Sequence, residues 1–207
     1  PHRWALYSFD VYINGSRVYD YTFELTESSY FTAGVLCHEF FHVLGAPDLY
    51  HYNSNGSPDA VGGWDLMEST SNPPQYMGAF MKWKYGDWIP EIPEITSTGT
   101  YTLNPLQQQE NAAYKIASPN SETEYYVVEY RVKEGVYESN TPGSRDGLLV
   151  YRINTEAGNG NAQGPPDEVY LYRPGGTLSS QGSFVSAPYN ADWSHTEINN
   201  FTNPEPF

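Results

Sequence analysis

The segment His38-Glu39-Phe40-Phe41-His42 constrains this chain more than any other. Two histidines four residues apart lie on one face of a helix, one turn above the other. Their imidazoles can converge on a single tetrahedral zinc ion at about 2.0–2.1 Å. Glu39 adjoins the first of them, placed to take a proton from a water at the metal. The plain alternative is a half-buried histidine pair on an amphipathic helix with no ion. The residues after His42 argue against it. Gly45 and Asp48 come shortly after that histidine. A helix cannot return a residue at that spacing to the metal, but a sharp turn can, and glycine permits one. Pro47 stiffens the approach, and Asp48 is the expected third ligand.

The surrounding signals predict a helix from about Thr32 to Leu44, capped by Thr32 and ended at Gly45 in the left-handed conformation. Gly-, Pro-, Asn- and Ser-rich sequence from Gly45 to Gly63 reads as loop. A second helix is expected from about Pro74 to Tyr85, with Pro-Pro at its start and Gly86 at its end. Ahead of the first helix, Phe9 to Ile13 and Arg17 to Phe23 flank Asn14-Gly15, a strong hairpin signal. After residue 90 the pattern changes. Ile89-Pro90-Glu91-Ile92-Pro93 is a stiff linker. Short β-rich segments succeed it at about 99–103, 114–117, 125–132, 148–153 and 169–172. Their spacing predicts an all-β sandwich, and the broken alternation of residues 125–131 predicts a strand covered on both faces. The expected fold class is α+β, with residues 1–90 carrying the histidine helix and residues 91–207 the sandwich.

Charge excludes several roles. Ten Lys and Arg stand against 25 Asp and Glu, a formal net charge of −15 over 207 residues, and no basic run occurs. A phosphate backbone must be met by clustered cations, so nucleic acid is excluded as a partner, and so is docking on an anionic membrane. No apolar stretch approaches ~18 residues, so no membrane span is expected. Aromatic residues, at 16%, supply the bulk for a core. The single cysteine, Cys37, forbids an internal disulfide and, among apolar neighbours, is expected to be a buried, inert thiol. The chain opens Pro1-His2-Arg3-Trp4, without an initiator Met or a signal peptide, and reads as a mature or trimmed piece of something longer.

Residues 38–48, the Asp48-Leu49-Tyr50 that closes them and Gly63-Trp64-Asp65-Leu66-Met67 together resemble the immune inhibitor A family of bacterial secreted metallopeptidases. The resemblance continues through Pro73-Pro74-Gln75-Tyr76 to Lys84-Tyr85-Gly86-Asp87-Trp88. It extends more weakly to Tyr125 to Arg131 and Gly147 to Arg152, covering roughly residues 1–155. It implies a secreted, zinc-dependent endopeptidase made as a longer precursor, acting on protein or peptide substrates and often holding calcium. It implies a metzincin-like domain in which His38, His42 and Asp48 hold Zn²⁺ and a methionine turn at Met67 forms an apolar floor. Asp48 stands where histidine is the commoner third ligand. Such a domain places a twisted sheet and a further helix ahead of the zinc helix, whereas 37 residues precede His38 here. The expectation is the C-terminal part of a metzincin-like domain, with the missing N-terminal part of its own precursor as a partner.

Other residues offer chemistry with less support. Asn53, Asn55, Asp59 and Asp65 carry hard oxygens in a loop with little else to hold it, a candidate Ca²⁺ site. His51 is a candidate fourth ligand or transition-state stabiliser, against the plainer reading of a surface histidine. Glu68 is the alternative third ligand, in the manner of thermolysin-like peptidases. Tyr76 is a candidate oxyanion donor, with core packing the plainer reading. Asp65 could instead orient a ligand histidine or cap a turn. Two functions compete: zinc peptide hydrolysis with Glu39 as general base, and a non-catalytic fragment whose β part binds glycan or protein through its Tyr and Trp. Glu39 separates them, since a structural zinc site needs no base.

Overall fold

A computed structural model describes residues 2–5, 11–18, 20–23, 31–53 and 56–205. It is a mixed α/β chain. Strands β1 (His2–Ala5), β2 (Val11–Ile13), β3 (Ser16–Val18) and β4 (Asp20–Phe23) precede helix α1 (Ala33–Val43) and the short helix α2 (Ala79–Lys84). Strands β5 (Ala113–Ala117), β6 (Glu124–Arg131), β7 (Gly147–Asn154) and β8 (Val169–Leu171) come after them.

Asn14-Gly15 does form a hairpin turn, at φ 48° and 81°, joining β2 to β3 with Ile13 opposite Ser16. Positive φ at both turn residues matches the twist of the flanking strands. The hairpin is shorter than expected, because β4 pairs with β1 instead. Phe9, the expected start of its first strand, lies outside the described residues.

Helix α1 keeps the predicted boundaries. The Thr32 side chain accepts the Val35 N–H at 3.2 Å, and Gly45 succeeds the helix at φ 100°, where a Cβ would be strained. Phe41 is buried and stacks on Trp88 at 5.3 Å between centroids. Another face of α1 is open: Leu36, Phe40 and Leu44 are exposed, Phe40 at 60%. With Tyr76, Trp88 and Tyr137 they line an apolar groove of about 460 Å³. Cys37 lies on this face and is an exposed free thiol. Its apolar neighbours pointed to burial, but the described residues leave that side of the helix uncovered.

Helix α2 begins at Ala79, five residues later than the Pro-Pro signal predicted. Its start is set by remote carboxylates: the Gly78 N–H donates to Asp65 Oδ2 at 2.7 Å and the Ala79 N–H to Glu129 Oε2 at 2.6 Å. Anions are favoured at a helix N-terminus, where N–H groups lack partners.

Strands β5-β6-β7-β8 form one antiparallel four-stranded sheet. The period of two sends Val127, Leu149, Tyr151, Ile153 and Leu171 to one face, into a cluster with Trp64, Met67, Phe80 and Phe41. Val128, Val150, Tyr170 and Tyr172 fill the opposite face with Tyr189 and Ala60. The central strand is thus covered on both faces, as expected. The expected sandwich is not formed among the described residues: loops, not a second sheet, make the outer layer. Residues 99–103 form no strand, and Glu94 and Pro105 reach the sheet only through isolated bridges, in a stretch where proline cannot donate to a ladder. The larger cluster draws on residues from both sides of residue 90.

A buried ionic knot fastens the sheet beneath the site. Arg131, Glu129 and Glu138 are all 0% exposed. Arg131 donates to Glu138 Oε1 at 2.7 Å, to Glu129 Oε1 at 3.0 Å and to the Trp64 carbonyl at 3.2 Å. That last bond holds the turn leading into Asp65-Leu66-Met67.

Candidate metal centre

Helix α1 points His38 and His42 toward the loop that carries Asp48. Both imidazole Nε2 atoms reach the same oxygen, Asp48 Oδ1, at 3.0 and 3.1 Å. One ligand atom from each of the three residues lies within 4.8 Å of the others, the one such cluster among the described residues. The other ring nitrogens are held by main-chain carbonyls: His38 Nδ1 by Leu66 at 2.9 Å and His42 Nδ1 by Ala46 at 2.7 Å. A carbonyl only accepts, so Nδ1 carries the proton and a neutral ring offers its Nε2 lone pair. Asp48 Oδ1, buried, faces two such lone pairs and has no hydrogen-bond partner. Its Oδ2 accepts the Tyr52 hydroxyl.

Three acceptor atoms converging out of water require a positive charge among them. A proton on a ring is one source. Burial would lower the pKa of His42, but the Asp48 carboxylate and the Ala46 carbonyl beside the ring, with the charge of Glu39, raise it. Burial would raise that of Asp48, but the two histidines and Tyr52 hold it well below the usual carboxylate range. A metal ion is the other source. Carbonyl-oriented imidazoles, an orphaned carboxylate oxygen and an N₂O donor set fit zinc or a similar transition ion better than the all-oxygen preference of calcium. Tyr50 stacks over His38 at 6.3 Å, and burial with the Asp48 charge pushes its phenol up to about 12.

The turn predicted at Met67 braces both ligand segments. Asp65 Oδ1 accepts the Met67 N–H at 2.8 Å. The Leu66 carbonyl orients His38, and the Met67 carbonyl accepts the N–H of Leu49, next to Asp48, at 2.9 Å. The Met67 side chain is fully buried. Of the two roles considered for Asp65 the structure shows the turn cap, since its oxygens take backbone N–H groups and Leu66 serves the histidine.

Glu39 is buried at 3% exposure and lines an open groove of about 1110 Å³ together with His42 and Asp48. Tyr50 and Tyr52 continue that wall, and Glu156, Asn159 and Gln163 stand in the lining from the other part of the chain.

Several candidates go elsewhere. Glu68 is no neighbour of the histidines: its carboxylate accepts the N–H groups of Ala60, Val61 and Gly62. His51 Nε2 pairs with Asp167 Oδ1 at 2.6 Å, in the groove wall and outside the ligand cluster. Tyr76 packs on Tyr137 and beneath the Lys82 ammonium, 4.1 Å from the ring centroid. Among the described residues, those suggested for calcium show no shared site. Asp65 is occupied by the N–H groups of Met67 and Gly78. Asp59 is exposed and bonded through Oδ2 to Gln181 at 2.9 Å, Asn53 is exposed, and Asn55 lies outside the described residues. Sequence reasoning passed over Tyr52 and residues 155–168. One tyrosine among 19 carries no signal, and the segment has neither periodicity nor motif.

Residues 8–83 match the family model described as immune inhibitor A peptidase M6, catalytic domain. The resemblance to that family is borne out over this stretch, which spans the ligand cluster and the Met67 turn, and the match supports a peptidase function. It does not extend to the β segments after residue 83. No curated protein and no solved structure matches the chain. No helix among the described residues is long and apolar enough to cross a membrane.

Proposed function

We propose, from the peptidase match over residues 8–83, that this chain carries the centre of a secreted, zinc-dependent endopeptidase. The observation that carries the reading is the meeting of His38, His42 and a partnerless Asp48 Oδ1 in a buried cluster open to a groove. His38 and His42 would hold zinc through Nε2 and Asp48 through Oδ1. Zinc supplies a Lewis acid that polarises a peptide carbonyl and makes water acidic.

The protein side chains do the rest. The Leu66 and Ala46 carbonyls fix the tautomer and tilt of the two imidazoles, and Tyr52 fixes Asp48. Glu39 lines the groove beside His42 and Asp48 and stands outside the ligand cluster, which supports a carboxylate that serves the reaction without taking a ligand position. It removes a proton from the attacking water and delivers it to the leaving amine. The groove gives an extended peptide room to lie across these groups, which fits protein or peptide substrates.

Glu39→Gln tests this. It keeps size and polarity but removes the base, and general acid–base work is typically worth about 10²–10⁴-fold. Casein hydrolysis should fall by at least about a hundredfold in kcat while zinc content is unchanged. Near-normal turnover would refute Glu39 as base. A wild-type chain that binds zinc and cleaves nothing would favour the non-catalytic reading.

A further inference from the structure

β7 and β8 are antiparallel neighbours, with Ile153 opposite Val169, yet residues 155–168 lie between them. Two to five residues suffice for a hairpin, and longer connections in compact folds are commonly functional. This one is tied down along its length. The Asn161 side chain, 0% exposed, bonds both main-chain groups of Val169, at 2.8 Å to the carbonyl and 3.0 Å from the N–H. Its own main-chain N–H donates to the Asp48 carbonyl at 3.0 Å. Asn161 is thus bonded to the sheet and to Asp48 at once. One residue on, the Ala162 carbonyl accepts the Tyr52 N–H at 3.0 Å, and Asp167 holds His51. Gly160 sits at φ 79°, and a Cβ there would come 2.3 Å from the Asp48 carbonyl oxygen and 2.7 Å from the Pro47 ring. Only glycine allows so close an approach.

We propose that residues 155–168 are a working part of the metal centre: through Gly160 and Asn161 they set the position of Asp48, and they form the groove's second wall. The inference rests on the zinc-centre reading of His38, His42 and Asp48 and extends it beyond the matched stretch 8–83. Gly160 and Asn161 are positioning residues, acting through Asp48. A ligand carboxylate on a loop is only as well placed as its backbone, and groups that hold a ligand commonly change metal affinity about 10–100-fold.

The test is zinc affinity of the full chain, read by competition with a chromophoric chelator, with circular dichroism confirming the fold. Gly160→Ala is expected to weaken zinc binding at least about tenfold. Gly175→Ala controls for strain at positive φ. Its φ is 72°, no atom lies nearer than 3.7 Å to the new Cβ, and its zinc affinity is expected to match wild type. In an Asp48→Ala background, Gly160→Ala is expected to add nothing, because its effect travels through Asp48. An equal loss in that background, or wild-type affinity in folded Gly160→Ala, overturns the proposal. Should Gly160→Ala fail to fold, Asp167→Ala decides in its place. It releases His51 without adding an atom to the tight approach, and at least about tenfold weakening supports the proposal, whereas unchanged affinity overturns it. A wild-type chain that takes up no zinc overturns the metal-centre reading itself, and with it this one, before any substitution is made.

Discussion

The Tyr52 hydroxyl donates to Asp48 Oδ2, leaving Oδ1 as the oxygen that meets both histidine Nε2 atoms. One carboxylate is thereby divided between a tyrosine donor and the two histidines. Tyr52→Phe removes the donor and frees Asp48 to rotate. Zinc affinity is expected to fall about tenfold, the usual scale for a group that orients a ligand. Chelator competition checks this, and unchanged affinity would show Asp48 to be held well enough without Tyr52.

Asp48 and Glu68 part company as candidates for the third ligand. Asp48→Ala removes one of three protein donors, and zinc binding is expected to weaken by at least about a hundredfold. Glu68→Ala should leave zinc binding near wild type and lower the melting temperature, since three backbone N–H groups lose their acceptor. Measuring both quantities on both variants separates the roles, and the reverse pattern would restore the thermolysin-like arrangement.

Glu68 also makes stability depend on pH. Burial pushes its pKa from 4.5 up to about 8, although the N–H groups of Val61, Gly62 and Ala60 pull the other way. A carboxyl with a raised folded pKa favours the fold in its protonated form. Its contribution is complete below about 4.5 and is lost as pH rises toward 8. Glu68→Gln mimics the protonated form. Denaturant titrations across that window should show wild type losing ground to Glu68→Gln as pH rises. A difference independent of pH would rule out the raised pKa.

Arg131 lies between Glu129 and Glu138 with none of the three exposed. Arg131→Met would leave two carboxylates buried without their cation, and breaking such a pair typically costs about 3–5 kcal/mol. Because Arg131 also holds the Trp64 carbonyl, the loss should appear both in the unfolding free energy and in weaker zinc binding. Equilibrium unfolding in urea, beside chelator competition, reads both.

What was legible in the sequence was local. The His38–His42 spacing, the Thr32 cap, Gly45 and the Asn14-Gly15 turn each act within a few residues, and the structure places each as its chemistry dictates. Asp48 was legible because a glycine turn has few outcomes. The rest depends on contacts between distant segments. Ala79 opens α2 because Glu129, 50 residues away, accepts its N–H. Four of the five expected β segments were found, but not that loops would cover the outer face of their sheet. Asn161 reaches Asp48 across more than a hundred residues, and no pattern of period two or 3.6 encodes such a contact.

The open face of α1 bears on how this protein behaves at the bench. Leu36, Phe40 and Leu44, with the apolar groove beside them, offer a resting place for a dye that brightens out of water. Such brightness is usually taken as a sign of lost tertiary packing. In this chain the intact native state already presents the surface that lights the dye. Fluorescence melting curves should therefore start from a high baseline, and a bright sample at room temperature is no indication that it has unfolded.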